Sequence, residues 1–223
     1  MTSLEQKLHF DTIIERIEKA RLRVSDHHIV KIVAASKYVG SEEIQSLYNI
    51  GQRAFGENKV QDMAIKVDAL EDLPIEWHFI GTLQKNKINQ LLNLNPYMIH
   101  SIDSIDLAYA LNERLMREGK TLRALVQVNS AYEESKSGFH PDKFTDAYAQ
   151  IMSECPNLQL MGIMSIGAHS DERKIIQKSF EITHSLFEKI PNATMCSMGM
   201  SGDFELAIEC GSNLVRLGSI LFK

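Results

Sequence analysis

What this chain has little of narrows its function before any motif is read. Cysteine occurs three times in 223 residues, as Cys155, Cys196 and Cys210. The number is odd, the spacing wide, and no CxxC pair occurs. A disulfide framework is excluded, and free thiols in a reducing compartment are expected. Positive charge is not in excess: 24 Lys and Arg against 29 Asp and Glu leave a net charge of −5. That balance argues against a broad nucleic-acid surface, though a few residues and backbone amides suffice for a local anion site. No apolar run approaches the roughly 18 residues of a membrane span. The first residues, MTSLEQKLHFDTIIERIEKA, are amphipathic and carry acidic side chains, unlike a signal peptide. Metal spacings such as HxH and HExxH are missing, as are GxSxG, a Walker loop and a Rossmann fingerprint. The expectation is a soluble cytoplasmic protein that binds neither nucleic acid nor membrane, with no metal site.

What is present is alternation. Leu4, Leu8, Ile13, Ile14 and Ile17 mark an opening helix. Eight short apolar stretches then follow: IVAAS, RAF, EWHFIG, PYMIHSI, LRALVQVN, LQLMGIMSI, TMCSMGM and LVRLGSILF. A helical pattern separates each from the next. Ser41 is the expected N-cap of the first of these helices and Gly51 its stop; Pro141 suits a first helical turn. Strands that are apolar without clean alternation suit a parallel sheet covered on both faces. Eight right-handed βαβ steps point to a closed (β/α)8 barrel, an α/β fold spanning residues 1–223 as a single domain with an extra N-terminal helix.

In such a barrel, active sites use the C-terminal ends of the strands. The unusual residues fall there repeatedly. Lys37 follows the apolar run of KIVAASKYVG. FGEN follows the second strand, HSID the fourth, SMGMSGD the seventh, and RLGS belongs to the eighth. A rim amine that is partly desolvated is nucleophilic and condenses with aldehydes; a solvated lysine past a strand end is the plain alternative. The loops after strands seven and eight are the usual phosphate cradle. There Gly199 and Gly202 let backbone approach an anion, Ser201 offers a hydroxyl, and a helix starting near Asp203 would aim its amides at the loop. Gly218 and Ser219 could add two donors. Arg216 alternates with Val215 and Leu217, so it faces inward and needs a partner. His78 and His100 read as hydrogen-bonded core histidines. Lys85, Lys87 and Lys136 read as surface charge. The demand is therefore an aldehyde carrying a phosphate. Pyridoxal 5′-phosphate (PLP) meets it, and so does a sugar-phosphate substrate of a Schiff-base aldolase.

At these residues the chain resembles the pyridoxal phosphate homeostasis protein family, also called the YggS/PROSC family. AASKYV, FGENKVQD, WHFIGTLQKNK, HSID, VNSAYEESKSG, GIMSI and SMGMSGDFELAIECGSNLVRLGSILF carry the resemblance, in order and over most of the chain. It implies a TIM barrel like the alanine racemase N-terminal domain, with PLP as cofactor. It implies that Lys37 carries PLP as a Schiff base and that Asn58 lies near the ring. Ser201, Gly218 and Ser219 would hold the phosphate, and Arg216 would sit against the pyridine nitrogen or the phosphate edge. It also implies PLP binding, storage and delivery in place of robust catalysis, with PLP-dependent apo-enzymes as partners. The sequence departs from the family pattern at Asn213, Thr82 and the terminal LFK, none of them at Lys37.

The competing expectation is a PLP-dependent racemase-like enzyme. Such enzymes add a C-terminal β domain and a second acid/base, usually a tyrosine. Here the chain stops at Lys223, and Tyr38, beside Lys37, should point elsewhere as its neighbour along a strand. An arginine donating to the ring nitrogen keeps the ring a poor electron sink. These points favour a carrier, and without the racemase's second domain a monomer is expected.

Overall fold

The computed structural model describes residues 3–222. Helix α1 (Ser3–Leu22) precedes β1 (Lys31–Ala35), α2 (Ser41–Asn49), β2 (Ala54–Glu57) and α3 (Val60–Ala69). Then come β3 (Glu76–Phe79), a 3-10 turn over Lys85–Lys87 that runs into α4 (Ile88–Asn93), and β4 (Met98–Ile102). The chain continues through α5 (Ile105–Glu118), β5 (Leu122–Val128), α6 (Pro141–Glu154) and β6 (Leu158–Ser165). It ends with α7 (Arg173–Phe187), β7 (Met195–Ser197), α8 (Phe204–Glu209) and β8 (Leu214–Leu217).

The strands pair in parallel in sequence order and close: β8 returns to β1, with Ile32 opposite Val215 and Val33 opposite Arg216. The expected (β/α)8 barrel is therefore the observed one. Closure leaves two apolar cores. Ile99, Ala124, Val126 and Ile163 pack outward under the helices, in one cluster with Met63, Leu111, Phe144 and Phe180. Their strand neighbours Met98, Leu125 and Met164 form a separate cluster that fills the barrel's interior. This is the period-2 alternation of a strand, with both faces apolar because both are covered.

Local signals explain most boundaries. Ser104 caps α5, its side chain accepting from Leu107 N, and Gly119 ends that helix at φ 62°, a left-handed conformation glycine adopts without penalty. Pro141 sits in the first turn of α6, where its missing N–H is harmless. The expected cap at Ser41 is displaced by one residue. Ser41 is already helical, and Gly40 is the cap, its N–H donating to Glu43 Oε2 at 3.0 Å. In α1 the buried stripe is Ile13, Ile17 and Ala20, whereas Leu4 and Leu8 are exposed. In the first turns the face toward the barrel carries Gln6, which is buried and bonded to Ser46 on α2, so Leu4 and Leu8 point to solvent. Among the described residues, no helix is long and apolar enough to cross a membrane.

Candidate functional site

All six residues singled out in the sequence meet in one cleft. It has a volume of about 330 Å³ and is lined by Lys37, Asn58, Ser201, Arg216, Gly218 and Ser219. Ala35, Ile80, Met164 and Ile166 supply an apolar floor, and Tyr38, Met200 and Gly202 complete the lining. The strand ends β1, β2, β6 and β8 and the loop after β7 bring them together. The cleft therefore opens at the C-terminal face of the barrel, where βα loops converge.

Lys37 occupies the turn directly after β1 and is exposed. It is open to solvent, as in the plain alternative of a lysine past a strand end. Among the described residues no carboxylate or hydrogen-bond acceptor holds Nζ; its one neighbour of note is the Tyr38 ring, 4.9 Å from Nζ to the centroid. Tyr38 departs from expectation. It lines the same cleft as Lys37, because β1 ends at Ala35 and strand alternation no longer governs residues 37 and 38.

Arg216 is 5% exposed and faces into the barrel. Nη1 donates to Ser197 O at 3.0 Å and Ser197 Oγ at 2.6 Å, and Nη2 donates to Ser165 O at 2.8 Å. A guanidinium has five N–H donors, so the Nε–H and one Nη2–H lack an acceptor among the described residues. Burial pushes its pKa down to about 10, an effect that Asp203 opposes. It remains a cation at neutral pH, and no carboxylate forms an ion pair with it among the described residues. The polar chain runs on inward. Ser197 Oγ also lies 3.4 Å from His100 Nδ1. His100 Nε2 and His78 Nδ1 share one hydrogen bond at 2.8 Å, and His78 Nε2 is buried with no partner among the described residues. Burial pushes His78 down to about 3 and His100 well below the usual range. The two are core histidines, as expected from the sequence.

The glycine–serine loops form a smaller polar corner. Ser201 Oγ accepts from Gly218 N at 3.1 Å. Ser219 is exposed beside it. A Cβ at Gly202 would meet nothing within 4 Å, so this side of the cleft is open space. At the start of α8 two amides are spent within the turn: Asp203 N and Phe204 N both donate to Met200 O, at 3.1 and 2.9 Å. The turn is also closed by Asp203 Oδ1, which accepts from Met200 N at 2.6 Å. Burial raises the Asp203 carboxyl pKa.

The remaining charges lie elsewhere. Lys85 pairs with Asp106, and Lys136 with Glu133 and Gly167 O. Lys87 lines a separate cleft of about 280 Å³ that shares Asn58. Cys155 and Cys196 are buried and Cys210 is half-buried, all three as free thiols. Sequence reasoning missed a buried cluster behind the rim, made by Ser36, Glu57 and Lys66. A carboxylate inside the apolar strand RAFGE and a lysine on the buried stripe of α3 were its available signals.

The arrangement suits an anionic aldehyde. It offers one exposed primary amine, a buried arginine with spare donors, and hydroxyl and amide donors at an open glycine corner. Known proteins share the frame. Residues 8–223 match the family described as alanine racemase, N-terminal domain. A pyridoxal phosphate homeostasis protein of Helicobacter pylori is 57% identical over 99% of both chains. The human pyridoxal phosphate homeostasis protein is 37% identical over 86% of this chain and 75% of its own. Among solved structures, PipY of Synechococcus elongatus with PLP bound superposes with a TM-score of 0.79 at 31% identity, covering 94% of this chain and 99% of PipY. An alanine racemase of Clostridium difficile, at 13% identity and a TM-score of 0.74 over 93% of this chain and 54% of its own, shares the fold. The chain is a racemase-type (β/α)8 barrel of the alanine racemase N-terminal domain family. Within that family it belongs to the pyridoxal phosphate homeostasis proteins.

Proposed function

We propose that residues 1–223 form one barrel that binds PLP in the cleft at its C-terminal face and serves as a carrier in cytoplasmic PLP homeostasis, passing the cofactor to apo-enzymes as a monomer. The observation that carries this reading is the convergence of Lys37, Asn58, Ser201, Arg216, Gly218 and Ser219 on a single cleft. Its volume suits a small cofactor. When bound, PLP would supply an electrophilic aldehyde carbon, and Lys37 is the residue that would hold it through its primary amine. Ser201, Gly218 and Ser219 are assigned to the phosphate. Arg216 would face the ring nitrogen or the phosphate edge with donors only, so a nitrogen that accepted from it would stay unprotonated. Asn58, on the lining of the same cleft, would lie near the ring.

The exposure of Lys37 supports a carrier, since a rim amine open to solvent allows exchange. Tyr38, beside it in the cleft, is the observation favouring a racemase-like enzyme instead. A paired test separates them. PLP titration should show saturable binding that Lys37→Ala weakens strongly, and racemisation and transamination assays should show no turnover at ordinary enzyme rates. Turnover that Tyr38→Phe abolishes would establish the enzyme reading. Absence of PLP binding by the intact chain would remove both.

A further inference from the structure

The residue before Lys37 is held by a buried ion pair that the cleft itself does not need. Ser36 and Glu57 are 0% exposed and Lys66 is 8% exposed. Lys66 Nζ meets Glu57 Oε1 at 2.6 Å. The same Oε1 accepts from Ser36 Oγ at 2.6 Å, and Lys66 Nζ also donates to Ser36 O at 2.8 Å. Ser36 N donates to Gly56 O at 3.0 Å. Every polar atom of Ser36 is therefore tied to β2 or α3 at the point where the chain leaves β1 for the turn that bears Lys37.

The pair is costly as a source of stability. Two charges out of water gain back their desolvation only when their remaining valences are satisfied, and Glu57 Oε2 is buried with no partner among the described residues. An apolar pair of similar volume is often neutral or stabilising at such a position. What an apolar pair would lose is the hold on Ser36. Among the described residues the exposed Lys37 amine has no hydrogen-bond or ion-pair partner, only the ring of the adjacent Tyr38. Its placement over the cleft is inherited from the residue beside it.

We infer that Glu57 and Lys66 are positioning residues for Lys37: the ion pair, acting through Ser36, fixes the turn so that the amine is presented to a ligand aldehyde. The inference rests on the PLP reading of the cleft. The test uses the full chain with three variants, Glu57→Gln, Lys66→Met, and the double variant Glu57→Leu/Lys66→Met, which restores apolar packing should a single change prevent folding. Three quantities are read: thermal midpoint, amide hydrogen exchange of residues 36–39 without ligand, and binding of PLP compared with pyridoxine 5′-phosphate. The latter keeps the ring and phosphate but has no aldehyde.

In the double variant the midpoint should equal or exceed the wild-type value, exchange in residues 36–39 should quicken about tenfold or more, and covalent capture of PLP should weaken on the order of 10- to 100-fold. Affinity for pyridoxine 5′-phosphate should stay at the wild-type value, because the phosphate corner is untouched. A merely structural pair would move the midpoint and leave the covalent and non-covalent ligands in step. A double variant with wild-type exchange and wild-type covalent capture would overturn the positioning role while leaving the PLP reading intact. A wild-type chain that binds both ligands equally and forms no borohydride-reducible bond at Lys37 would overturn the PLP reading, and the positioning role with it.

Discussion

At the scale of single residues, close backbone approach separates two glycines that look alike in the sequence. A Cβ at Gly81 would lie 2.1 Å from Asn58 O and 2.7 Å from Asn58 Cα. Backbone, not a flexible side-chain tip, would have to move. Gly81→Ala should therefore destabilise the protein by about 1–3 kcal/mol and weaken PLP binding through the displaced Asn58. Gly202, with nothing within 4 Å, should accept alanine with a stability change within about 0.5 kcal/mol. Urea unfolding of the two variants checks both. Lys37, Ser201 and Arg216 were legible because a cation or hydroxyl at the end of an apolar run is itself a signal. Tyr38 was misread because its direction depends on where β1 stops. That end is set by Ser36 and its buried partners, which lie some 20 to 30 positions away in the chain.

At the scale of elements, α1 shows where spacing and packing part company. Its outer turns carry Leu4 and Leu8 into solvent, while Ile13 and Ile17 are 1% and 3% exposed. Arg16 adds a two-pronged bond to Glu205 on α8, at 2.8 and 2.9 Å, and stacks over Phe204 at 4.8 Å. That ion pair is 39% and 42% exposed, so screening leaves it worth about 1 kcal/mol or less. The hold of α1 on the barrel is thus mainly apolar. Ile13→Ala should lower stability by about 2–5 kcal/mol, well beyond the loss from Glu205→Gln, with denaturant midpoints as the measure. Helix and strand order was readable because each period is a local property. The caps were readable to within a residue, as the shift from Ser41 to Gly40 illustrates. The buried Lys66 was not, because a lysine on a helix reads as a solvated face until its partner strand is known.

At the scale of the molecule, closing the barrel seals His78 and His100 inside it with a polar chain to Arg216. Both histidines stay neutral in the folded state: burial holds His78 down to about 3 and His100 well below its ordinary range. Unfolded, each takes up a proton below about pH 6.5. The unfolded chain then binds more protons than the native one, so stability is full above that pH and falls as pH drops toward 3. Each histidine contributes a slope of up to about 1.4 kcal/mol per pH unit. Urea midpoints should fall between pH 7 and pH 5, and His100→Gln should flatten the fall; a pH-independent midpoint would show that these rings are not sealed. Closure itself followed from counting eight strands, but the interior polar chain did not. Its members sit on β3, β4, β7 and β8 and become neighbours only when the sheet shuts.

The cleft's assignment turns on one bond. Incubate the intact chain with PLP, reduce with borohydride, digest, and locate the added mass by peptide sequencing in a mass spectrometer. The expected result is a pyridoxyl-phosphate mass on Lys37 alone, lost in Lys37→Ala with the rest of the digest unchanged. A label scattered over exposed lysines, or one retained by Lys37→Ala, would contradict the assignment of this cleft as the PLP site.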